Sequence, residues 1–213
     1  MISLRSLCLL SFVLLWTACT ETGVSLRELR SGDLLFVANA EGNRITEVTE
    51  GIEGLGIDHV AIVSEGENCP ATLTVIEAVP EDGVIQSPID SFLVRLGAGE
   101  SVLVGRISGL DAEASILRAK EYLGLPYDDL FMPGDSAVYC SELVQKSMVL
   151  EKTGEPVFGT VPMSFHDSTG RVTGFWTDFY AARGLSVPEG EPGTNPGEMS
   201  RDPRVRILGS LVK

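Results

Sequence analysis

The sequence predicts a single α+β domain in which short strands come first and helices follow. Two observations lead to this fold class. Between residues 34 and 106, short runs rich in Val, Ile and Leu alternate with Gly, Pro and Asp, which is typical of strands joined by turns. From residue 111 onward, the spacing of the apolar residues changes to a helical period. Runs of strands followed by runs of helices are the pattern of α+β folds.

The strand signals predict an antiparallel meander that curls toward a small barrel. The segment 38–57 is rich in Gly, Asn and Glu and has no clear period, so we predict a long loop there. The predicted strands cover residues 34–37, 59–63, 73–78, 83–85 and 102–106.

Two helices are predicted to follow the strands. Asp111 is a suitable N-cap for the first helix, which should stop at Gly124. The second helix should cover residues 141–151. Residues 186–203 are acidic and rich in Gly and Pro, and we expect a flexible excursion there.

The N-terminus has the layout of a bacterial lipoprotein signal peptide. Arg5 precedes a short apolar stretch, and small residues then lead to Cys19, which would carry the lipid. Trp16 stands where a smaller residue is usual, so a plain signal peptide or an uncleaved anchor remains an alternative. We therefore predict a signal peptide at 1–18, a linker at 19–25 and one domain at 26–213, in the cell envelope and anchored to a membrane through the lipid.

The charge balance narrows the choice of partners. The chain has 16 Lys and Arg residues against 30 Asp and Glu, a formal net charge of −14. Such a surface argues against nucleic acid and against electrostatic docking to anionic lipid headgroups. Small molecules, peptides and neutral lipids remain as partners, and the sequence does not indicate an oligomeric state.

Cys140 is the candidate nucleophile of the predicted domain. It lies at the start of a predicted helix, where the helix dipole and free N–H groups stabilise a thiolate. The alternatives are a buried structural cysteine or a disulfide with Cys69, which lies in a turn. Two isolated cysteines with few histidines are poor evidence for a metal site, and we predict no metal or cofactor.

His59 and Glu77 are candidate partners for that thiol. His59 begins an apolar strand, and Glu77 interrupts another. A carboxylate is costly to bury in such a strand unless it is paired, so Glu77 could orient His59 if the two strands are neighbours. Glu77 could equally point to solvent. The other histidine, His166, lies in a turn-like stretch and is interpreted as a surface or capping residue.

Five motifs in order give the chain a resemblance to a known family. They include Ser-Gly-Asp-Leu-Leu-Phe, Asp-His-Val-Ala-Ile-Val and Tyr-Cys-Ser-Glu-Leu-Val, and together they occupy 31–36, 58–63, 75–78, 124–128 and 139–144. In this order the chain resembles the YiiX/YebB-like branch of the circularly permuted papain-like hydrolases, within the NlpC-type superfamily. In that branch the histidine strand precedes the cysteine helix, as it does here.

The resemblance implies a permuted papain-like fold and a cysteine hydrolase. It makes Cys140 the nucleophile, His59 the base and Glu77 the orienting residue, with the Ser141 backbone N–H as an oxyanion donor. Tyr127 and Tyr139 would lie near the cleft, and Asp33 and Glu142 are expected to be structural. The substrate would be a cell-wall peptide or a lipid-like N-acyl compound or ester. An acyltransferase and a non-catalytic lipoprotein that binds lipid or peptide remain alternatives.

Overall fold

The computed structural model describes residues 23–66 and 72–212. The predicted signal peptide, Cys19 and Cys69 lie outside these residues. Within the described part of the chain, none of the helices has both the length and the apolar character needed to cross a membrane.

Among the described residues, a seven-stranded sheet forms the centre of the domain, and five helices accompany it. The helices are α1 (Ile89–Arg95), α2 (Ala112–Glu121), α3 (Cys140–Ser147), α4 (Gly174–Ala181) and α5 (Pro196–Arg201). Two short 3-10 turns lie at Leu26–Glu28 and Ile52–Gly54. The strands of the large sheet are β1 (Val24–Ser25), β2 (Leu34–Asn39), β3 (Ile57–Glu65), β4 (Leu73–Val79), β5 (Gly83–Pro88), β6 (Glu100–Ile107) and β9 (Val205–Val212), while β7 (Val161–Pro162) and β8 (Pro192–Gly193) form a separate pair.

The order of the strands is β1-β9-β6-β2-β3-β4-β5. Strands β2 to β5 form the predicted antiparallel meander, and the α+β class is confirmed. The sheet has two edges, however, and does not close into the small barrel that the sequence suggested. Helix α1, which the sequence analysis missed, follows β5, and β6 then pairs with β2 instead of β5. The C-terminal strand β9 was missed as well, and it extends the sheet beyond β6.

The sheet buries apolar side chains on both faces because residues alternate along each strand. Val60 and Ile62 of β3 pack in one cluster with Leu143 and Val144 of α3. Ala61 and Val63 point to the opposite face and pack in a second cluster with Phe92 and Leu93 of α1. Helix α3 therefore lies on one face of the sheet and α1 on the other.

The predicted helices after β6 are present, with different ends. Asp111 caps α2, since its side chain accepts a hydrogen bond from the Ala114 N–H. Helix α3 ends at Ser147 instead of residue 151, because the chain turns extended at Met148 and its carbonyl pairs with the Val157 N–H.

Residues 186–203, expected to be flexible, contain β8 and α5. Helix α5 packs closely on the 49–50 segment. A Cβ at Gly197 would lie 2.5 Å from the Thr49 carbonyl oxygen, so only glycine allows this approach.

Candidate active site

The sheet brings His59 and Glu77 together. Strands β3 and β4 are antiparallel neighbours with Ile62 opposite Ile76, so Glu77 lies toward the end of β3 that carries His59. The His59 Nε2 atom lies 2.9 Å from Glu77 Oε2, at hydrogen-bond distance. Glu77 is only 1% exposed, so it does not point to solvent from a half-exposed strand.

A second cation contacts the same carboxylate. Arg95, the last residue of α1, donates a hydrogen bond to Glu77 Oε1. Each oxygen of Glu77 therefore has its own partner, His59 on one side and Arg95 on the other.

Cys140 is the first residue of α3 and is buried, with a free thiol. The N–H groups of a first helical turn have no carbonyl partner within the helix, and the helix dipole is positive there. A thiolate at Cys140 and an oxyanion beside it would both be stabilised by this environment.

The histidine interacts with the thiol as well as with the carboxylate. Burial acts to lower the pKa of His59, but its hydrogen bonds with Cys140 and with Glu77 outweigh this effect and raise the pKa to about 10. Since Nε2 faces Glu77, Nδ1 is the ring nitrogen left for the Cys140 thiol. A protonated His59 therefore lies beside the Cys140 sulfur, the atom that acts as nucleophile in cysteine hydrolases.

An apolar cavity, which we call the apolar pocket, opens beside Cys140 and is partly open to solvent. Its walls come from the 45–49 loop, β7, α4 and the start of α5, and they are mostly apolar or aromatic, including Ile45, Val48, Phe131, Met163, Phe165 and Trp176.

A wider groove lies beside His59, and its wall carries several charged residues among apolar ones. It is lined by His59, Glu77 and Arg95, and by further acidic residues such as Glu81 and Asp82. Both cavities have Asp58, Tyr127, Phe131 and Trp176 in their walls, so they adjoin. Cys140 lines the apolar side and His59 the charged side.

The two tyrosines expected near the cleft have different environments. Tyr127 lies in the wall of both cavities, and its burial and the charge of Cys140 raise its pKa far above the usual range, so it keeps its proton. Tyr139 precedes α3, and its hydroxyl oxygen accepts a hydrogen bond from the Thr194 N–H at 2.9 Å. Thr194 Oγ1 in turn lies 3.0 Å from Ser141 Oγ, so the chain before α5 is tied to the first turn of α3.

The remaining candidates lie in other environments. His166 contacts Ser164 and Glu189 and lines a different cavity from Cys140. Asp33 accepts two hydrogen bonds from Arg106, and Glu142 pairs with Lys146 at 3.2 Å. Among the described residues, no group of three or more His, Cys, Asp or Glu side chains is placed to hold a metal ion.

Two residues at the site were missed from the sequence, Arg95 and Thr194. A signal for Arg95 exists, since Ile89, Phe92 and Leu93 have helical spacing and lead directly to it. Thr194 lies in a Gly/Pro-rich stretch that carries no comparable pattern.

Comparison with known families matches residues 28–209 to the permuted papain-like amidase enzymes of the YaeF/YiiX type, the C92 family. Among solved structures, the chain is similar to the crystal structure of the metalloprotein YiiX from Escherichia coli O157:H7, DUF1105. The two share 23% sequence identity with a TM-score of 0.67, over 86% of this chain and 98% of that one. This likeness shows the fold. No match was found among curated proteins.

Proposed function

This chain belongs to the family of permuted papain-like amidases that includes YaeF and YiiX and is a cysteine hydrolase, and from that premise we propose that Cys140, His59 and Glu77 form its catalytic triad. The observation that carries the proposal is the position of His59. One ring nitrogen is 2.9 Å from a buried carboxylate, and the ring also bonds with the thiol at the start of α3. We also propose that the chain lies within the NlpC-type superfamily, in its permuted branch, since the histidine strand precedes the cysteine helix.

In the proposed mechanism, the Cys140 thiolate attacks the carbonyl carbon of an amide. The oxyanion that forms is stabilised by the Ser141 N–H in the first turn of α3, and the protonated Tyr127 hydroxyl supports it from the cleft wall. His59 then gives its proton to the leaving amine, and water, deprotonated by His59, releases the acyl group from Cys140. Glu77 bonds with Nε2 of His59 and so keeps Nδ1 of the ring directed toward the thiol.

We propose an N-acyl amide with an apolar acyl chain as the substrate class. Cys140 lines the apolar side of the cleft, so the acyl half of the substrate, which becomes bonded to sulfur, would lie in the apolar pocket. His59 lines the charged side, so the amine that it protonates would leave through the wider groove. A cell-wall peptide fits a mostly apolar pocket less well.

The test uses wild type, Cys140→Ala and, as a matched histidine control, His166→Ala. We expect wild type and His166→Ala to release free fatty acid from N-acyl amino acid amides, and Cys140→Ala to release none. Release of peptide fragments from purified cell walls, with no action on acyl amides, would contradict the substrate class. Transfer of the acyl group to an added amine in place of water would identify an acyltransferase.

We further propose that the chain is exported and lipid-anchored in the envelope through Cys19, on the sequence pattern of residues 1–19 alone. Metabolic labelling with a fatty-acid analogue should mark the wild-type chain and not Cys19→Ser. Equal labelling of the two would contradict the anchor.

A further inference from the structure

We propose that Arg95 is a positioning residue of this site. It holds Oε1 of Glu77 so that Oε2 faces His59 throughout the reaction. This inference rests on the proposed triad. Arg95, from α1, would be a fourth residue of the site and would act through Glu77. Among the described residues, no contact joins Arg95 to Cys140.

The burial of Glu77 creates the need for a permanent cation. The carboxylate lies inside the apolar strand β4 and is 1% exposed. An isolated buried carboxylate is strongly disfavoured unless a charge and hydrogen bonds compensate it. A carboxylate at Glu77 is the stronger acceptor for the hydrogen bond from the His59 Nε2–H, because charge-assisted hydrogen bonds are stronger than neutral ones.

His59 cannot supply that charge continuously. In the proposed reaction it passes its proton to the leaving amine and is then neutral until water is deprotonated. The guanidinium of Arg95 keeps its charge at every step, since arginine is not deprotonated in proteins. Arg95 is therefore the partner that still compensates the charge of the Glu77 carboxylate when His59 is neutral.

The geometry also shows how Arg95 orients the carboxylate of Glu77. Arg95 holds Oε1, and His59 Nε2 lies 2.9 Å from Oε2. A carboxylate held at one oxygen cannot rotate freely, so the other oxygen keeps its aim at Nε2. The histidine is then restricted to the tautomer whose Nδ1 faces Cys140.

Helix α1 brings Arg95 to this position. Ile89, Phe92 and Leu93 bury one side of the helix in the cluster that also contains Val75 of β4. Arg95 follows as the last helical residue, where a cation is favoured by the helix dipole. Its side chain is 43% exposed and lines the wider groove, so it is not a core residue whose loss would leave a void.

The first experiment is a double-variant cycle on the hydrolysis of an N-acyl amide, with Glu77→Gln, Arg95→Ala and the two combined. We expect Arg95→Ala to lower kcat on the order of 100-fold with KM changed less than about threefold, since a small misplacement of a catalytic group has that effect. Arg95→Lys should recover part of the loss. In the Glu77→Gln background, Arg95→Ala should cause no further loss, because Arg95 acts only through Glu77.

Arg204→Ala is the matched control. Arg204 is exposed to a similar degree, 41%, and pairs with Asp202 at 2.6 Å away from the site residues named above. It should leave kcat unchanged. Full activity of Arg95→Ala, or an equal loss with and without Glu77→Gln, would overturn the proposal.

A second measurement needs no substrate, so it separates the failure of this inference from that of the proposed function. The rate of Cys140 alkylation by iodoacetamide at pH 6 should fall in Arg95→Ala and in Glu77→Gln, and no further in the double variant. If no amide is hydrolysed but this coupling is present, the substrate is wrong and the role of Arg95 stands. If wild type hydrolyses amides and Arg95→Ala alkylates at the wild-type rate, the role of Arg95 is refuted.

Discussion

Two buried carboxylates, Glu77 in β4 and Asp33 just before β2, are paired with arginine in different ways. Asp33, 2% exposed, accepts both Arg106 hydrogen bonds at 2.7 Å and one from the Arg30 N–H at 2.8 Å. Its partners are permanent donors. Glu77 divides its oxygens between one permanent cation, Arg95, and one residue that gains and loses a proton, His59. Pairing with arginine therefore stabilises the fold at Asp33 and serves the reaction at Glu77. The difference is His59, which is the additional partner of Glu77.

The largest expected effect distinguishes the two carboxylates by activity. Glu77→Gln should lower kcat about 1,000-fold or more, since loss of the orienting carboxylate in a serine-protease triad costs about 10⁴-fold. The matched change, Asp33→Asn, should leave kcat per folded molecule within about twofold, because Asp33 has no contact with His59 or Cys140 among its hydrogen bonds. Steady-state kinetics on N-acyl amides measure both. Similar losses in the two variants would remove the distinction.

The second effect is on stability, where the Asp33 variant should lose more than the Glu77 variant. Asp33→Asn breaks a buried pair and should lower the free energy of unfolding by about 3 kcal/mol, near the lower end of the range for such pairs. Glu77→Gln should cost less, because Arg95 is 43% exposed and can turn to water, whereas Arg106 is only 22% exposed. Urea unfolding monitored by circular dichroism would test this ranking. A larger loss for Glu77→Gln would contradict it.

A third prediction uses pH, to which only the Glu77 pair should respond between neutral and alkaline conditions. The pKa of His59 is raised from 6.5 to about 10 in the folded protein. A raised pKa means that the native state holds the proton more tightly, so its stabilising effect is complete below pH 6.5 and is lost as the pH rises through 10. The stability of wild type relative to His59→Gln should therefore be greatest near pH 6 and diminish toward pH 10. A constant difference would argue against the charged histidine. Asp33→Asn should show a constant difference over this range.

The smallest expected effect concerns the tie between Thr194 and α3. Thr194→Val leaves the backbone bond to Tyr139 but removes the bonds of the Thr194 hydroxyl to the Tyr139 hydroxyl and to the buried Ser141 hydroxyl, which should cost about 1–2 kcal/mol of stability. Because Ser141 follows Cys140, kcat should also fall a few-fold. Thr74→Val also removes a hydroxyl, one that bonds with Ser64 and Gln86 away from Cys140, and should change stability without changing kcat. Equal kcat in the two variants would show that the Thr194 tie has no part in positioning α3.

The sequence allowed part of this site to be predicted, for physical reasons. The cost of burying a carboxylate in an apolar strand made His59 a candidate partner for Glu77, with exposure of Glu77 to solvent as the equal alternative. A helix start is visible locally, so Cys140 could be placed on it. These are short-range patterns, and the structure brings the residues together as they indicated.

The contacts that were missed are between segments far apart in the chain. Arg95 reaches Glu77 only because α1 folds back onto β4, and nothing local to either residue specifies that return. Thr194 and Ser141 are 53 positions apart, and the segment containing Thr194 has the composition of a flexible loop. The predicted order of the strands was incomplete for the same reason. The pairing of β6 with β2 and of β9 with β6 depends on the whole chain.

The most direct test of the central claim is the pH dependence of Cys140 alkylation, mapped by peptide mass spectrometry in wild type and His59→Gln. An ordinary thiol reacts appreciably only as the pH nears about 8.5. If His59, held by Glu77, maintains a thiolate at Cys140, wild type will react rapidly at pH 6, and His59→Gln will react only at the pH of an ordinary thiol. Superimposable profiles for the two proteins would contradict the claim.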